Sequence, residues 1–448
     1  MKLSSVAFLL LCSGSLALGA QSTTPELAPA PAQAFQTQTF TCGKPGKGVL
    51  VLGPGSVYGE HAAGKQPAGF DLKTTPTVEE GFCTSTLPFF FSVAVPEGSY
   101  RVTVELGSPA AAVTTVRAEA RRLEAEHVAT PAGKSARRSF DVNVRYAEIA
   151  GADSNRVRLK PREDGSLDWD HKLTLEFNGT HPGFRSIRVE AIHEPTIYLA
   201  GDSTVVDQHV EPWAAWGQML PRFLKPGVVV SNQAESGETV RSFQTEKRFE
   251  KIFSTLHKGD YLVFQFGHND QKPENKVPIE LYRQLLTTYV DRTREAGATP
   301  VLVTSMMRRS FDGHGKIRDT FAGYPQAMRA VATEKHVTLI DLNAMSQTMW
   351  EAMGPDGTLK AFVHYPANSF PGQNEAIADD THFNSYGAYE LARCVAAGLA
   401  SSGLPLGRFV LPEARHFDPA HPDPASDVQL PVTPIPPQEG DVAHTRQL

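Results

Sequence analysis

Apolar runs of strand length alternate with helix-length amphipathic segments over the second half of the chain. The apolar runs predict strands at 196–200, 228–231, 261–266, 300–304 and 337–342. Helical periodicity is found near 213–224, 246–257, 278–296, 322–335 and 384–401. Strands that alternate with helices are typical of a parallel sheet with helices on both faces. The pattern therefore predicts a three-layer α/β/α domain with a five-stranded parallel sheet over residues 194–403.

A different pattern precedes this domain, over residues 39–193. Short apolar or alternating runs are separated by turn signals, and no long amphipathic helix is evident. Strands are predicted at 89–95, 100–106, 140–146, 172–177 and 185–192, and Asn178-Gly179 is predicted to be the turn between the last two. This region is predicted to be an all-β sandwich domain. Its role is open between carbohydrate binding and a structural spacer.

The two ends of the chain differ in composition from the predicted domains. Lys2, a short apolar core and then small residues up to Ala20 are typical of a cleaved signal peptide, predicted over 1–20. Segment 21–38 is a predicted linker, and the Pro-rich segment 404–448 is a predicted extended or disordered tail. No later segment has the roughly 18 apolar residues of a membrane span. We therefore expect a secreted protein, periplasmic or extracellular, that does not associate with a membrane after cleavage.

Composition limits the kinds of partner. The chain has 448 residues, of which 41% are hydrophobic and 21% charged, and its formal net charge is −6. These values are ordinary for a soluble globular protein, and the negative balance argues against a nucleic-acid partner. No group of Cys and His residues has the spacing of a metal site. We expect a monomer without a metal.

The chain contains four cysteines with different expected states. Cys42 and Cys83 both lie in the β domain of an exported chain, where a disulfide between them is favoured. Cys394 lies on a helical pattern and is expected to be a small buried residue. Cys12 lies in the signal, and a lipoprotein signal through it is an alternative that the bulky Leu11 disfavours.

Four polar motifs lie along the α/β domain in an order that indicates chemistry: three directly follow predicted strands, and the fourth precedes the last predicted helix. The open end of a parallel sheet, at the carboxyl ends of its strands, is where such domains place their active sites. The motifs are Gly201-Asp202-Ser203-Thr204, segment 232–237, Gly267-His268-Asn269-Asp270 and Asp379-Asp380-Thr381-His382.

These motifs contain the residue types of a catalytic triad. Ser203 is the predicted nucleophile, and His382 is the predicted base that takes its proton. Asp379 lies three residues before His382, and on a predicted turn or helix start the two side chains face the same way. The carboxylate can then accept the imidazole Nδ1–H and fix the tautomer. Asp380 is the alternative orienting carboxylate. Either aspartate could instead only cap the last helix.

Oxyanion donors can be assigned from the same motifs. The N–H groups of Ser203 and Gly237 and the side-chain amide of Asn269 are predicted to stabilise the negative charge that develops on a carbonyl oxygen. Taken alone, Gly237 could be an ordinary loop glycine and Asn269 part of an Asx turn.

In this order the four motifs resemble the SGNH (GDSL) hydrolase family, over about the span of the α/β domain. The motif around Ser203, the Gly267-His268-Asn269-Asp270 motif and Arg308-Arg309-Ser310-Phe311 are similar to the rhamnogalacturonan acetylesterase branch. Glu238-Thr239 departs from that branch, in which serine is frequent at the second position. The resemblance implies catalysis by Ser203, His382 and Asp379 with Gly237 and Asn269, and it implies no cofactor. It implies a secreted serine esterase that removes acetyl groups from pectin through an acetyl-serine intermediate.

Substrate contacts can be suggested for a few further side chains. Arg308, Arg309 or Arg241 could bind the carboxylates of uronic acids in an acetylated polysaccharide. Phe383, together with Trp213 and Trp216, could form a platform for a sugar ring. The two tryptophans are three residues apart, a spacing that also fits a buried helix face.

Two other functional interpretations stay open. One is a different acyl-ester hydrolase with the same catalytic residues, such as a xylan acetylesterase, a lipase or a thioesterase. The other is an inactive carbohydrate-binding protein. No apolar lid helix is evident for a lipase, and the complete set of catalytic residue types disfavours an inactive domain.

Overall fold

The computed structural model of the chain describes residues 35–59, 68–149, 155–370 and 372–434. The predicted signal peptide, most of the predicted linker and the last part of the predicted tail lie outside the described residues. From Phe35 onward the described residues belong to one compact unit.

The first part of the described chain, residues 38–192, is built from strands, and we call it the β region. The strands are β1 Gln38–Cys42, β2 Leu50–Leu52, β3 Ala68–Asp71, β4 Thr77–Glu79, β5 Phe82–Thr84, β6 Phe89–Ala94, β7 Gly98–Gly107, β8 Ala112–Ala118, β9 Arg122–Thr130, β10 Ser135–Val144, β11 Lys172–Thr180 and β12 Gly183–Ile192. One sheet has the order β3-β6-β11-β8-β9, and β10-β7-β12-β1-β2 are neighbours in a second. Apolar side chains of both sheets form a shared core. The predicted all-β region is confirmed.

The predicted turn at Asn178-Gly179 is wrong. Both residues lie within β11, where they pair with Thr115 and Thr114 of β8. The chain reverses instead between Thr180 and Gly183 and passes from one sheet to the other. Asn178 is buried, and its amide donates to the carbonyl oxygen of Val432 at 2.9 Å. A hydrogen bond to a distant segment of the chain thus stabilises Asn178 in a strand, although its neighbours in sequence favour a turn.

Cys42 of β1 and Cys83 of β5 form the disulfide suggested by the sequence, and it closes a separation of 41 residues. Cys394 is free and buried. Both cysteines of the disulfide are fully buried in the core of the β region. The link therefore joins the strand at the start of the described chain to the body of the region.

Replacing Cys42 and Cys83 together with alanine is expected to lower the free energy of unfolding by about 4 kcal/mol, because a loop of this length is no longer closed in the unfolded chain. Urea unfolding of the parental and double-variant proteins checks this. The parental protein unfolded in a strong reductant serves as the control and should show a comparable loss. A loss below about 1 kcal/mol would contradict a stabilising role for the link.

The second part of the chain contains the predicted parallel sheet. Its strands are β13 Thr196–Gly201, β14 Val229–Asn232, β15 Tyr261–Gln265, β16 Thr299–Val303 and β17 Thr338–Ile340. They are parallel neighbours in the order β14-β13-β15-β16-β17. Ile197 and Leu199 point into one apolar core, whereas Tyr198 and Ala200 point into another. Because successive side chains of a strand face opposite sides, the sheet is covered on both faces. The predicted three-layer α/β/α domain is confirmed.

Helices form the two outer layers. They are α1 Trp216–Met219, α2 Val240–Thr245, α3 Arg248–Thr255, α4 Ile279–Glu295, α5 Tyr324–Lys335, α6 Leu342–Thr358, α7 Ser385–Ser401 and α8 Pro412–Arg415. Helix α6 was not predicted. It begins at Leu342, the last residue of the predicted fifth strand, where the Asp341 side chain caps it, and Gly354 and Pro355 interrupt its C-terminal part. Among the described helices, none combines the length and the apolar character that crossing a bilayer requires.

An additional hairpin lies before α7. Its strands are β18 Phe362–Tyr365 and β19 Ile377–Phe383, which pair antiparallel. The hairpin carries the predicted motif of Asp379 and His382 to the end of the molecule at which Ser203 lies.

The sheet of the β region is continuous with the parallel sheet. Strand β10 pairs in parallel with β14 through Val142 and Val230. The order of neighbouring strands across this contact is β17-β16-β15-β13-β14-β10-β7-β12-β1-β2. The two parts therefore share one ladder of strands, in addition to the loops that join them along the chain.

The segment after α7 packs against the β region as far as it is described. The Arg117 guanidinium donates to the carbonyl oxygen of Pro431 at 2.6 Å. The Thr433 hydroxyl donates to the Glu176 carboxylate at 2.8 Å, and both side chains are buried. Residues 404–434 thus differ from a disordered tail, because Leu406, Val410 and Phe417 are buried in an apolar core of the α/β domain and buried charged groups of β8 and β11 anchor the end of the segment.

Candidate active site

The turn that follows β13 presents Ser203. All residues of β13 are buried, and the strand ends at Gly201. The Asp202 carbonyl oxygen accepts hydrogen bonds from the N–H groups of Val205 and Val206, and its carboxylate accepts from the Thr204 N–H at 3.0 Å. A Cβ on Gly201 would lie 2.5 Å from the Val205 side chain, so the turn closes tightly only because this position is glycine. Ser203 is 4% exposed.

His382 and Asp379 complete a chain of hydrogen bonds with Ser203. The Ser203 Oγ lies 2.8 Å from His382 Nε2, and His382 Nδ1 lies 2.7 Å from Asp379 Oδ2. Both distances are those of strong hydrogen bonds. The structure thus brings together the three residues that the sequence predicted to act as nucleophile, base and orienting carboxylate.

The local structure around Asp379 differs from the predicted turn or helix start. Both Asp379 and His382 lie in strand β19, where the pairing with β18 is irregular. Asp379 Oδ1 accepts from the N–H groups of Thr381 and His382 at 2.8 and 3.0 Å, which folds the strand so that the two side chains meet. The cap of α7 is Asn384, whose Oδ1 accepts from the Gly387 N–H. Neither aspartate therefore caps α7, the helix predicted at 384–401.

The alternative orienting residue, Asp380, points elsewhere. Its carboxylate lies 3.0 Å from Arg309 Nη1 and 2.9 Å from His364 Nε2, and its side chain is 52% exposed. Arg309, suggested as a contact for uronic acids, is thus held by an acidic neighbour. Asp379 is the carboxylate in contact with His382.

Hydrogen bonding controls the charge of Asp379. Burial favours the neutral carboxyl, but hydrogen bonds from the His382 ring and from the N–H groups of His382 and Thr381 outweigh it and hold the pKa of Asp379 well below its usual range. The carboxylate therefore stays charged, as it must to stabilise an imidazolium on His382.

Two further loops bring Gly237 and Asn269 to the same end of the sheet. Gly237 has φ +81°, a conformation that glycine adopts readily, and we call its segment, residues 235–238, the Gly237 loop. The Glu235 N–H donates to the Gly201 carbonyl oxygen, which ties the loop to the end of β13. The Asn269 side-chain amide donates to the Glu238 carbonyl oxygen at 3.0 Å. The predicted oxyanion groups therefore lie on connected loops.

His268 and Asp202 form a buried pair beside these loops that the sequence did not assign. His268 Nδ1 lies 3.5 Å from Asp202 Oδ2, and both side chains are almost fully buried. Burial lowers the pKa of His268, although the Asp202 carboxylate opposes that change. The sequence signal that could have identified them is that they directly precede Asn269 and Ser203 in the two motifs.

The side chains suggested as substrate contacts differ in exposure and in their hydrogen bonds. Arg241 is exposed on α2 and stays a prediction. The Arg308 guanidinium donates to the Thr320 hydroxyl at 2.9 Å and to the His268 carbonyl oxygen at 3.1 Å, so several of its donors are occupied. Phe383 is fully buried and stacks on Trp350, which corrects its suggested role in a sugar platform.

The two tryptophans near the Ser203 turn also differ from each other. Trp216 is fully buried, and its Nε1–H donates to the Gln265 side chain at 2.7 Å. It belongs to the core, as its helical spacing indicated. Trp213 is half-buried. Over the ranges that the structure describes, no group of three or more His, Cys, Asp or Glu side chains is arranged to hold a metal ion.

Comparison with known proteins finds a matching family and several relatives. The model of the GDSL-like lipase/acylhydrolase family matches residues 199–388. The chain is 45% identical over 212 residues to the rhamnogalacturonan acetylesterase RhgT of Bacillus subtilis, an alignment that covers 47% of this chain and 91% of that relative. It is 29% identical over 237 residues to a rhamnogalacturonan acetylesterase of Emericella nidulans, covering 47% of this chain and 87% of the relative.

A longer similarity relates the chain to YxiM of Bacillus subtilis, an uncharacterized esterase. The two are 27% identical over 322 residues, which covers 70% of this chain and 75% of that relative. A crystal structure of the YxiM protein has a TM-score of 0.46 and 24% identity, and the match covers 83% of this chain and 99% of the other.

Proposed function

The chain belongs to the GDSL-like lipase/acylhydrolase family and is a carboxylic ester hydrolase, and on that premise we propose that it removes acetyl groups from rhamnogalacturonan, the acetylated backbone found in pectin. The observation that carries the proposal is the chain of hydrogen bonds from Ser203 through His382 to Asp379. The substrate follows from the 45% identity to a rhamnogalacturonan acetylesterase. We also propose that the protein is secreted, acts as a monomer and needs no cofactor.

The proposed reaction has two halves that use the same groups. Ser203 Oγ attacks the acetyl carbonyl carbon while His382 Nε2 accepts the hydroxyl proton, and the imidazolium is stabilised by Asp379. The oxyanion is stabilised by the N–H groups of Ser203 and Gly237 and by the Asn269 amide. Collapse of the tetrahedral intermediate breaks the bond to the sugar oxygen, which takes the proton from His382. This leaves an acetyl group on Ser203.

Water completes the cycle by the reverse path. His382 accepts a proton from the water molecule as its oxygen attacks the acetyl-serine carbonyl, and the same donors stabilise the second oxyanion. The intermediate then releases acetate, and Ser203 recovers its proton from His382. Each turnover consumes one ester and one water and yields one sugar hydroxyl and one acetic acid.

Release of acetate from three substrates tests the proposal. Acetylated rhamnogalacturonan, acetylated xylan and p-nitrophenyl acetate are incubated with the parental protein and, as the control, with the Ser203→Ala variant. We expect acetate from the pectic polymer at a kcat/KM at least about tenfold above that for xylan, and none above background with the variant.

The other outcomes separate the remaining interpretations. Preference for xylan would assign the enzyme to xylan deacetylation, and activity on the small ester alone would leave a lipase or thioesterase. Binding of polysaccharide without turnover of any ester would identify an inactive carbohydrate-binding protein. Each of these three results would overturn the pectin assignment.

A further inference from the structure

We propose that Lys160 and Arg162 of the β region are positioning residues for the oxyanion hole. Both lie in the segment between β10 and β11, outside the span matched by the family model. The inference rests on the proposed ester hydrolysis and on the predicted role of the Gly237 N–H. It assigns to the β region a part in catalysis, in place of carbohydrate binding or spacing.

Both cationic side chains reach the Gly237 loop. Lys160 Nζ donates to the Ser236 carbonyl oxygen at 2.7 Å and forms an ion pair with the Glu238 carboxylate. Arg162 also donates to the Ser236 carbonyl oxygen, and its Nε lies 2.6 Å from the Glu235 carboxylate. Glu235 and Glu238 are almost completely buried. One backbone oxygen therefore receives two cationic donors.

The Ser236 carbonyl and the Gly237 N–H belong to the same peptide group. Because a trans peptide is planar, its C=O and N–H point in opposite directions. Donors that fix the direction of the Ser236 oxygen also fix the direction of the Gly237 N–H on the other side of the plane. Cations on the oxygen further polarise the group and make its N–H a stronger donor. Lys160 and Arg162 thus act on the predicted oxyanion donor through one planar unit.

The same loop positions the second predicted donor. The Glu238 carbonyl oxygen accepts one N–H of the Asn269 amide at 3.0 Å, which orients the rest of that amide. Lys160 forms an ion pair with the side chain of the same residue, Glu238. A displacement of the loop would therefore move the Gly237 N–H and the Asn269 amide together.

The segment that carries Lys160 and Arg162 is itself anchored. The Lys160 N–H donates to Glu163 Oε2 at 2.8 Å. Glu163 is buried, and it accepts hydrogen bonds from the Trp169 indole at 2.9 Å and from the guanidinium of Arg248 on α3. The buried and fully paired Glu163 carboxylate thus fixes the backbone from which the Lys160 and Arg162 side chains extend.

The β region also holds the turn that carries Ser203. The Arg122 guanidinium donates to the Asp207 carboxylate at 2.6 Å, and Arg121 donates to the Gln208 carbonyl oxygen at 2.9 Å. The Gln208 amide in turn donates to the Ser203 carbonyl oxygen at 2.8 Å. Both loops that supply backbone oxyanion donors are therefore braced by side chains of the β region.

The test measures hydrolysis of p-nitrophenyl acetate, which depends on the oxyanion hole but not on polysaccharide binding. The main variant combines Lys160→Met with Glu238→Gln, so that no buried charge is left without its partner. We expect kcat to fall about 10- to 100-fold, less than the loss of about 100- to 1,000-fold typical of removing an oxyanion donor outright. We expect KM to change less than about twofold, since the donor acts in the transition state. The single variant Lys160→Arg, which keeps a cationic donor at this position, should retain most of the parental kcat.

Lys251 offers a matched control. It is a buried lysine of α3 that also bridges to the β region, since it donates to the Glu148 carbonyl oxygen at 2.6 Å and pairs with Glu97. Both of these partners lie outside the catalytic loops that the structure describes. Lys251→Met is expected to lower the melting temperature and to leave kcat within about twofold of the parental value. Parental kcat in the Lys160→Met/Glu238→Gln protein, or an equal loss of kcat in Lys251→Met, would overturn the inference.

Failure of the proposed function gives a different result. If Ser203→Ala hydrolyses the small ester as fast as the parental protein, then Ser203 is not the nucleophile and the proposed function and this inference both fall. If the parental protein acts on the small ester but not on the pectic polymer, only the substrate assignment falls. The comparison between the Lys160 and Lys251 variants still decides the inference.

Discussion

Replacing Ser203 with alanine is expected to lower kcat for p-nitrophenyl acetate by at least about 10⁴-fold, because the variant lacks the oxygen that forms the acyl-enzyme. The parental Ser203 is almost fully buried, and its Oγ lies 2.8 Å from His382 Nε2, within hydrogen-bond distance of the predicted base. Stopped-flow kinetics should show a burst of p-nitrophenol with the parental protein, as long as deacylation is slower than acylation, and no burst with the variant.

Ser402→Ala is the control for this substitution. Ser402 lies just after α7, and its hydroxyl donates to the carbonyl oxygen of Leu399 in that helix. Its loss should leave kcat within about twofold, as is usual for a substitution outside the site. More than about 1% of parental kcat in Ser203→Ala would contradict the assignment of the nucleophile.

Replacing Asp379 with asparagine is expected to lower kcat by about 10⁴-fold, because an amide cannot stabilise the imidazolium and favours the wrong tautomer of His382. The titration of Asp379 should itself add no pH dependence to kcat above about pH 5. Since the pKa of Asp379 is lowered in the folded protein, its carboxylate remains charged above its usual pKa of about 4 and loses that charge only as the pH falls through the lower folded value. The ratio of parental to variant kcat at one fixed pH measures the loss.

Asp380→Asn provides the matched comparison at the neighbouring position. Asp380 faces Arg309 and His364 at the surface, so its substitution should change kcat less than about threefold. Equal losses at the two positions would contradict the orienting role of Asp379. A larger loss in Asp380→Asn would transfer that role to Asp380.

The parts of the fold that could be predicted from the sequence are those with a strong local pattern. The strand ending at Gly201 is apolar throughout, and the helix of residues 385–401 has clear periodicity, so both were located within a residue or two. Helix α6 was missed because Gly354 and Pro355 obscure its periodicity and because its first residue continues an apolar strand. Phe383 was misjudged because its neighbour His382 is in the site, whereas its own side chain alternates into the core.

Contacts between distant segments could not be predicted from local patterns. Asn178 and Gly179 favour a turn when read with their neighbours, and only the segment around Val432 explains why they are in a strand. Lys160 and Arg162 lie more than 70 positions from the Gly237 loop. Periodicity and short motifs carry no information about ion pairs between segments so far apart in the sequence. The catalytic residues were found because their motifs are short and their order along the chain is constrained by the sheet.

The pairing of β10 with β14 affects how the chain can be divided. Strand β14 would be the outermost strand of the parallel sheet, and its residues are buried in the whole protein. A shortened chain that began at Thr196 would expose an apolar, unpaired strand edge, which is a common template for self-association. The point along the sequence at which one fold pattern gives way to the other is therefore a poor place for a protease or a protein engineer to separate them.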